Sequence, residues 1–436
     1  MLRHVRVLAA AGLAATLIAA AVPDSQPPAI PAVDAPELAR LGPAPVGVAE
    51  LTVVQPRQLD PLRSADRPVL SDRELPLTIW YPAAAKGPGM TYHAVMSGAD
   101  ARDVAFTVPG IATRDAKPAP GRVPLVILAH GYGNAPAALS WLGENLASKG
   151  YVVVAPAFRD PPISIRTAAA RSGPLARRPL DIAFVAGEVQ RRAAAGEAPF
   201  AAADPSRTAL IGYSMGGYGV LTAAGAPLDP RMAEATRGAL ADAVAGRPQA
   251  GRLKLANVKA VVAIAPASGT REAPIWAAPG VAAITAPTLY IVGNRDKAVG
   301  YDPGVRTLFQ AQAHAPRYLL TFREAGHSIA LIGAPPEMRG SFWDLDWFED
   351  PVWRKDRLLA VQMHFITAFL DRHVKGDVAR GAYLDGLVPD ANAGNWPDAP
   401  VGRHPGYSPD PPTATVWKGF QPSRATGMSL EYLPAR

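Results

Sequence analysis

With 436 residues, 49% of them hydrophobic and 19% charged, the chain is long enough for one large domain with insertions and has a globular rather than disordered balance. Its formal charge of +7 comes from scattered arginines, with no basic run interleaved with aromatics, which argues against nucleic acid as a partner. The absence of cysteine excludes disulfides, a thiolate nucleophile and a lipid-accepting cysteine.

Met1 to Arg6 is basic, and an Ala/Leu/Val/Ile run continues to Val22. Residues 1–22 therefore read as a signal peptide cut near Ala19 to Ala21, with an uncleaved membrane anchor as the alternative. No comparable apolar run follows, so no stable membrane span is expected after cleavage, and the destination is periplasmic or extracellular. Residues 23–45, rich in Pro and Ala, read as a linker.

Val46 to Val54 and Leu75 to Pro82 read as two strands, an antiparallel hairpin at a sheet edge. Residues 83–121 lack periodicity and read as a surface excursion. Val123 to Ala129 is a buried strand leading into His130-Gly131-Tyr132-Gly133, after which a helix from about Pro136 to Lys149 ends at Gly150. Tyr151 to Ala155 is a strand, and Pro179 to Gln190 a helix with its proline in the first turn. Ala209 to Ile211 supplies a buried-strand run, and the run from Tyr218 to Ala224 suits a helix. Residues 226–257, polar and Ala-rich, read as an insertion above the site. Lys259 to Ala265, Pro287 to Val292 and Arg317 to Phe322 are further strands, and Arg357 to Asp371 a closing helix. The Pro/Gly/Asp-rich tail, residues 388–436, is expected to pack across the outside. This alternation predicts an α/β chain with a predominantly parallel sheet, helices on both faces, and ligands at the carboxyl ends of the strands.

Gly212-Tyr213-Ser214-Met215-Gly216 follows a strand and precedes a helix, the context in which G-x-S-x-G puts a serine on a strained turn. Ser214 as nucleophile needs a base, and His327, in Ala325-Gly326-His327-Ser328 just beyond a strand, suits that task. The imidazole needs a carboxylate to hold its tautomer; Asp296, directly after the Tyr290 to Val292 strand, fits, with Asp302 in reserve. The chain order Ser214, Asp296, His327 is that of the strand-turn-helix serine class. The amides of Tyr132 and Met215 are the candidate oxyanion donors, and His130 reads as structural.

These segments, with Ile79-Trp-Tyr-Pro82, Arg178-Pro-Leu-Asp181 and Phe365-Ile-Thr-Ala-Phe-Leu-Asp371, carry a resemblance over about Leu75 to Asp377. There the chain resembles the α/β-hydrolase superfamily, and within it the bacterial proteins similar to platelet-activating-factor acetylhydrolase, described as predicted dienelactone hydrolases. The resemblance implies a catalytic domain over residues 46–387 and a secreted carboxylic ester hydrolase working through an acyl-enzyme, without a cofactor, on short-chain or lipid-like esters. True dienelactone hydrolases use a cysteine nucleophile, which this chain lacks. Tyr132 and Tyr213-Ser214-Met215 also look like their counterparts in cutinase-type polyester hydrolases, which makes a polyester the alternative substrate. A non-catalytic ligand-binding protein on the same fold is the alternative from another class.

Within a loop at residues 333–353, Phe342 to Trp353 is strongly aromatic, either packing onto the domain or forming a lid or acyl-pocket wall. Its acids, Asp344, Asp346, Glu349 and Asp350, lack EF-hand spacing and read as a solvated rim. With no zinc-ligand spacing or phosphate loop, neither metal nor cofactor is expected.

Overall fold

Runs of Val, Ile, Leu and Ala without polar interruption suit a sheet covered on both faces, and here they form its centre. The computed structural model describes residues 36–436 apart from 65–66, 99, 101, 163–166, 270–272, 395–416 and 422–423, so the expected signal peptide and the first part of the linker lie outside it. In chain order the strands are β1 Val46–Leu59, β2 Leu70–Pro82, β3 Thr91–Ser97, β4 Asp103–Pro109, β5 Thr113–Arg114, β6 Val123–Ala129, β7 Val152–Pro156, β8 Ala203–Tyr213, β9 Val258–Ile264, β10 Thr288–Gly293, β11 Arg317–Phe322 and β12 Met428–Leu433. The α-helices are α1 Ser140–Ser148, α2 Ala168–Ala194, α3 Met215–Ala223, α4 Met232–Ala235, α5 Arg306–Ala311, α6 Phe342–Phe348 and α7 Lys355–His373.

All strands except β3 and β4 form one sheet, in the order β12-β11-β10-β9-β8-β6-β7-β2-β1-β5. From β11 to β7 the pairing is parallel, while β2 joins β7, β1 joins β2 and β12 joins β11 antiparallel. Alternate side chains of each strand enter opposite cores. Val126, Leu128 and Val262 pack with Leu142 of α1 and Phe365 of α7; Leu125, Ile127 and Val261 pack with Val185 of α2 and Leu221 of α3.

The structure departs from the sequence reading at several points, one being that α6, capped by Ser341, forms within the expected 333–353 loop. Residues 83–121 are not a plain surface excursion: β3 and β4 pair, and Tyr92, Ala94, Met96, Phe106 and Val108 turn inward into the α1/α7 core. α2 begins well before Pro179, with Thr167 accepting a hydrogen bond from the Ala170 amide and with Pro174 and Pro179 inside the helix. Ala176, Leu180, Ile182, Val185 and Val189 are buried in the core that α3 and β8 share. That packing outweighs a local cost of about 3 kcal/mol per interior proline. Residues 226–257 leave from the carboxyl end of α3, where Leu255 donates its amide to the Ala223 carbonyl, and their Leu228, Leu240, Val244 and Leu253 are buried on the α2/α3 side. Because α3 starts next to Ser214, this segment departs from the end remote from the serine rather than lying above it. The far end of the tail, finally, does more than cover the surface. β12 extends the sheet, and Trp417 and Phe420 are buried in the core; residues 395–416 lie outside the description.

The β3/β4 hairpin is fastened through one carboxyl group. Glu144 Oε1 accepts from the Tyr92 hydroxyl at 2.7 Å and from the amides of Ile111 and Ala112 at 2.8 and 3.0 Å. Tyr92 in turn accepts from Trp80 Nε1 at 2.7 Å. Burial pushes the Glu144 carboxyl up, and a glutamine keeps the accepting Oε1 that all three donors use. Glu144→Ala, which orphans buried donors, is expected to lower the unfolding free energy by about 3 kcal/mol in urea denaturation, whereas Glu144→Gln should cost less than about 1 kcal/mol. Equal losses in the two variants would show that side-chain packing, not the accepting oxygen, holds the hairpin.

Candidate active site

The strand-to-helix turn at Ser214 is built around close backbone approach. A Cβ on Gly212 would lie 2.3 Å from Gly216 O, and one on Gly216 2.1 Å from Ala129 O, so both positions require glycine. Ser214 itself sits at φ 53° and ψ −115°, a backbone state unfavourable for a side chain with a Cβ and sustained by its surroundings. Its amide donates to Ile264 O at 2.9 Å, and its carbonyl accepts from Ala267 N at 3.0 Å, which ties the turn to the end of β9.

The remote candidates arrive from the ends of β10 and β11. His327 Nε2 lies 3.0 Å from Ser214 Oγ, and His327 Nδ1 lies 2.7 Å from Asp296 Oδ2. The other Asp296 oxygen accepts from the amides of Ala298 and Val299 at 2.9 and 3.1 Å, and the side chain is wholly buried. With an acceptor at Nδ1, the imidazole carries its proton there and leaves Nε2 to accept from the serine hydroxyl. The reserve carboxylate, Asp302, is half exposed and faces Arg306 at 3.8 Å instead. Arg295 pairs with Glu324, not with Asp296.

Tyr213, Lys355 and Asp350 hold this loop, and Asp350, expected on a solvated rim, is instead buried and bonded to backbone amides. The Tyr213 ring stacks on His327 with centroids 5.2 Å apart, and its hydroxyl donates to His327 O at 2.9 Å. Asp350 accepts from Gly326 N at 2.8 Å, and Lys355 Nζ donates to Ser328 O at 2.6 Å. Position alone could have flagged Tyr213, which precedes the serine; Asp350 and Lys355 lie in the following segment and carry no local signal.

The Gly131 segment passes beside the serine: a Cβ on Gly131 would sit 3.3 Å from Ser214 Cβ. Neither the Tyr132 amide nor the Met215 amide is bonded to an acceptor among the described residues. His130 is buried, and burial, with Arg178 alongside, pushes its imidazole down to about 3. The ring is therefore neutral. Nε2 accepts from Phe158 N at 3.1 Å and Nδ1 donates to Gly131 O at 2.7 Å, a structural role.

The aromatic segment divides between the two roles expected for it. Phe348 meets Phe106 edge-on at 6.1 Å, and Trp353 packs on Phe322 and donates to Arg323 O, so these are packing residues. Trp347 reaches the site: a Cβ on Gly133 would lie 4.0 Å from its ring, and Trp343 leans on it at 5.9 Å. Phe342, Trp343 and Leu345 remain exposed. Of the acids, Glu349 accepts from Ala334 N and Asp350 from three backbone amides, and among the described residues no cluster of three metal-type ligands occurs. No described helix is long and apolar enough to cross a membrane. A cavity of about 540 Å³ lined by Asp60, Arg73, Phe158, Arg159 and Arg177 contains none of Ser214, Asp296 or His327.

Against this geometry, residues 111–239 match the model of the PETase family, described as PET hydrolase-like. That stretch holds the Gly131 loop, Arg178 and Ser214. No curated protein matches the chain. Among solved structures, a ferulic acid esterase from Streptomyces cinnamoneus is similar in fold, with a TM-score of 0.50 and 20% identity over 76% of this chain and 91% of that one. The central parallel sheet, the serine on its strand-to-helix turn and this likeness together identify the chain as an α/β-hydrolase by fold.

Proposed function

We propose that the chain is a carboxylic ester hydrolase that works as an exported serine esterase through Ser214, His327 and Asp296. The observation that carries this reading is the relay of 3.0 and 2.7 Å from the serine hydroxyl through the imidazole to a buried carboxylate. Ser214 Oγ attacks the ester carbonyl carbon as its proton passes to His327 Nε2. The resulting oxyanion is received by the amides of Tyr132 and Met215, donors worth about 2.7 to 4 kcal/mol each in such sites. The carbon–oxygen bond then breaks, His327 returns the proton to the leaving alcohol, and water cleaves the acyl-enzyme by the same proton path in reverse. Asp296 steadies the imidazolium formed in each half.

Short-chain or lipid-like esters are the substrates of this reading. A polyester is the second candidate, supported by the PET hydrolase-like match and by exposed Phe342 and Trp343 beside Trp347. Protein secreted from a bacterial host should react with a fluorophosphonate at Ser214 and hydrolyse p-nitrophenyl butyrate. A panel of short esters, oxidised phospholipid, feruloyl esters and polyester film would rank the substrates. The same peptide map should place the mature N-terminus near Ala21. Turnover that persists after Ser214 is fully labelled would end the reading.

A further inference from the structure

The Tyr132 amide belongs to the same rigid peptide plane as the carbonyl of Gly131, and a trans peptide points the two groups in opposite directions. Whatever grips the carbonyl therefore aims the N–H. Arg178 supplies that grip. Its Nη2 donates to Gly131 O at 2.9 Å and its Nε to His130 O at 3.3 Å, while His130 Nδ1 adds a second donor to Gly131 O.

Asp160 completes the clamp on the other side of Tyr132. Its carboxylate takes both Arg178 terminal nitrogens, at 2.9 and 2.5 Å, and accepts from Gly133 N at 2.9 Å. The Arg178 side chain is 0% exposed and that of Asp160 2%, so the pair is shielded from solvent. Burial alone would raise the Asp160 carboxyl, but the charge and hydrogen bonds of Arg178 outweigh it and hold the group below its usual range. The Phe158 ring lies 3.9 Å from the guanidinium carbon and fixes its plane. The peptides on both sides of Tyr132 are thus pinned by one charged pair, and the amide between them is left without an acceptor among the described residues.

We propose that Arg178, locked by Asp160, is a positioning residue for ester hydrolysis, which orients the Gly131–Tyr132 peptide so that its N–H meets the oxyanion. This rests on the reading of Ser214 as nucleophile. The interaction differs from a neighbouring ion pair between β2 and α2: Arg73 and Asp181 are joined at 2.6 Å, with Asp181 wholly buried, yet Arg73 bonds Phe158 O rather than any part of the Gly131 loop. Arg73→Lys is therefore a control for the cost of disturbing a buried arginine pair.

Arg178→Lys, Asp160→Asn and Arg73→Lys would be compared with the wild type in kcat and KM for p-nitrophenyl butyrate, with active enzyme counted by fluorophosphonate titration. A lysine keeps the charge but cannot span the carboxylate and two carbonyls. Arg178→Lys is expected to lower kcat about 10- to 100-fold with KM within about threefold, because a misaimed donor weakens only the transition state. Phenylboronic acid, whose tetrahedral adduct on Ser214 places an anionic oxygen in that position, should bind weaker by about the same factor. Asp160→Asn should shift both quantities in the same direction, and Arg73→Lys neither. Unchanged kcat in folded Arg178→Lys, or an equal loss in Arg73→Lys, would overturn the positioning role. If Arg178→Lys does not fold, the near-isosteric Asp160→Asn decides. A wild type that neither hydrolyses esters nor labels at Ser214 would instead overturn the reading of the site, and this inference with it.

Discussion

Ser214→Ala is expected to reduce kcat for p-nitrophenyl butyrate by about 10⁵- to 10⁶-fold, with His327→Ala nearly as damaging and Asp296→Asn costing about 10⁴-fold. In the mechanism proposed above the three groups act together, which sets the size of these losses. Without Ser214 there is no covalent route, and without His327 the hydroxyl, 3.0 Å from Nε2, has no group to take its proton. Asn at 296 can present its amide nitrogen to Nδ1, which favours the tautomer whose protonated Nε2 can no longer accept from serine. Because the residues act as a unit, the double variant Ser214→Ala/His327→Ala should be hardly worse than either single one. Steady-state rates, with thermal unfolding to verify the fold, measure this. Losses that multiply would mean that the serine and the histidine act independently. His327→Ala within about tenfold of wild type would remove the imidazole from the mechanism.

A loss of stability on mild acidification is the second large effect. Burial first, aided by neighbouring cations, pushes His130 and His364 down to about 3, from 6.5 for a free imidazole. His364 Nδ1 accepts from Leu38 N at 3.2 Å, so in both cases a neutral ring nitrogen holds a backbone amide. Imidazoles whose folded pKa is depressed contribute stability that is present above about 6.5 and lost as pH falls toward the folded value, because the unfolded chain takes up protons that the fold refuses. Between pH 6.5 and 5 the loss is about 1.6 kcal/mol per histidine, or roughly 3 kcal/mol for the pair. Glu144 and Asp181, whose carboxyls burial pushes up, act in the opposite sense as pH falls, so the Glu144→Gln variant is measured alongside. His373, which burial and Arg372 push down to about 4, adds a third such ring, so urea denaturation across the window should show unfolding accompanied by uptake approaching three protons. Stability flat from pH 6.5 to 5 would mean that these rings are charged in the fold or reach solvent.

The two effects bear on different kinds of legibility. Ser214 was visible because its constraint is local: glycines two residues to either side, a strand before and a helix after. Asp296 and His327 were visible through the rule that such residues follow strands, and the structure does bring both to the serine. Arg178 stands in a segment that carries the family resemblance, yet no local pattern assigns it a role. Its partners are a carboxylate on the β7–α2 connection and two carbonyls after β6, and nothing local says that α2 will lie beneath that loop. The β3/β4 hairpin was read as loop because its flanks are rich in Gly and Pro, although Tyr92, Ala94 and Met96 alternate as a half-buried strand should. For α2, a preference of proline for first turns misplaced the start, since the stabilising contacts lie across the α3 interface.

By itself the amino-acid sequence determined the parallel strands of the sheet, the helices at α1, α3 and α7, and the turn that presents Ser214, because hydrophobic period and glycine placement act over a few residues. Tertiary structure alone decided which carboxylate faces His327, which guanidinium grips the Gly131 carbonyl, where residues 226–257 lie and that the tail ends as a sheet strand. Those outcomes depend on close approach between segments far apart in the chain, where a hydrogen bond forms or fails within an ångström, and no local pattern encodes that distance.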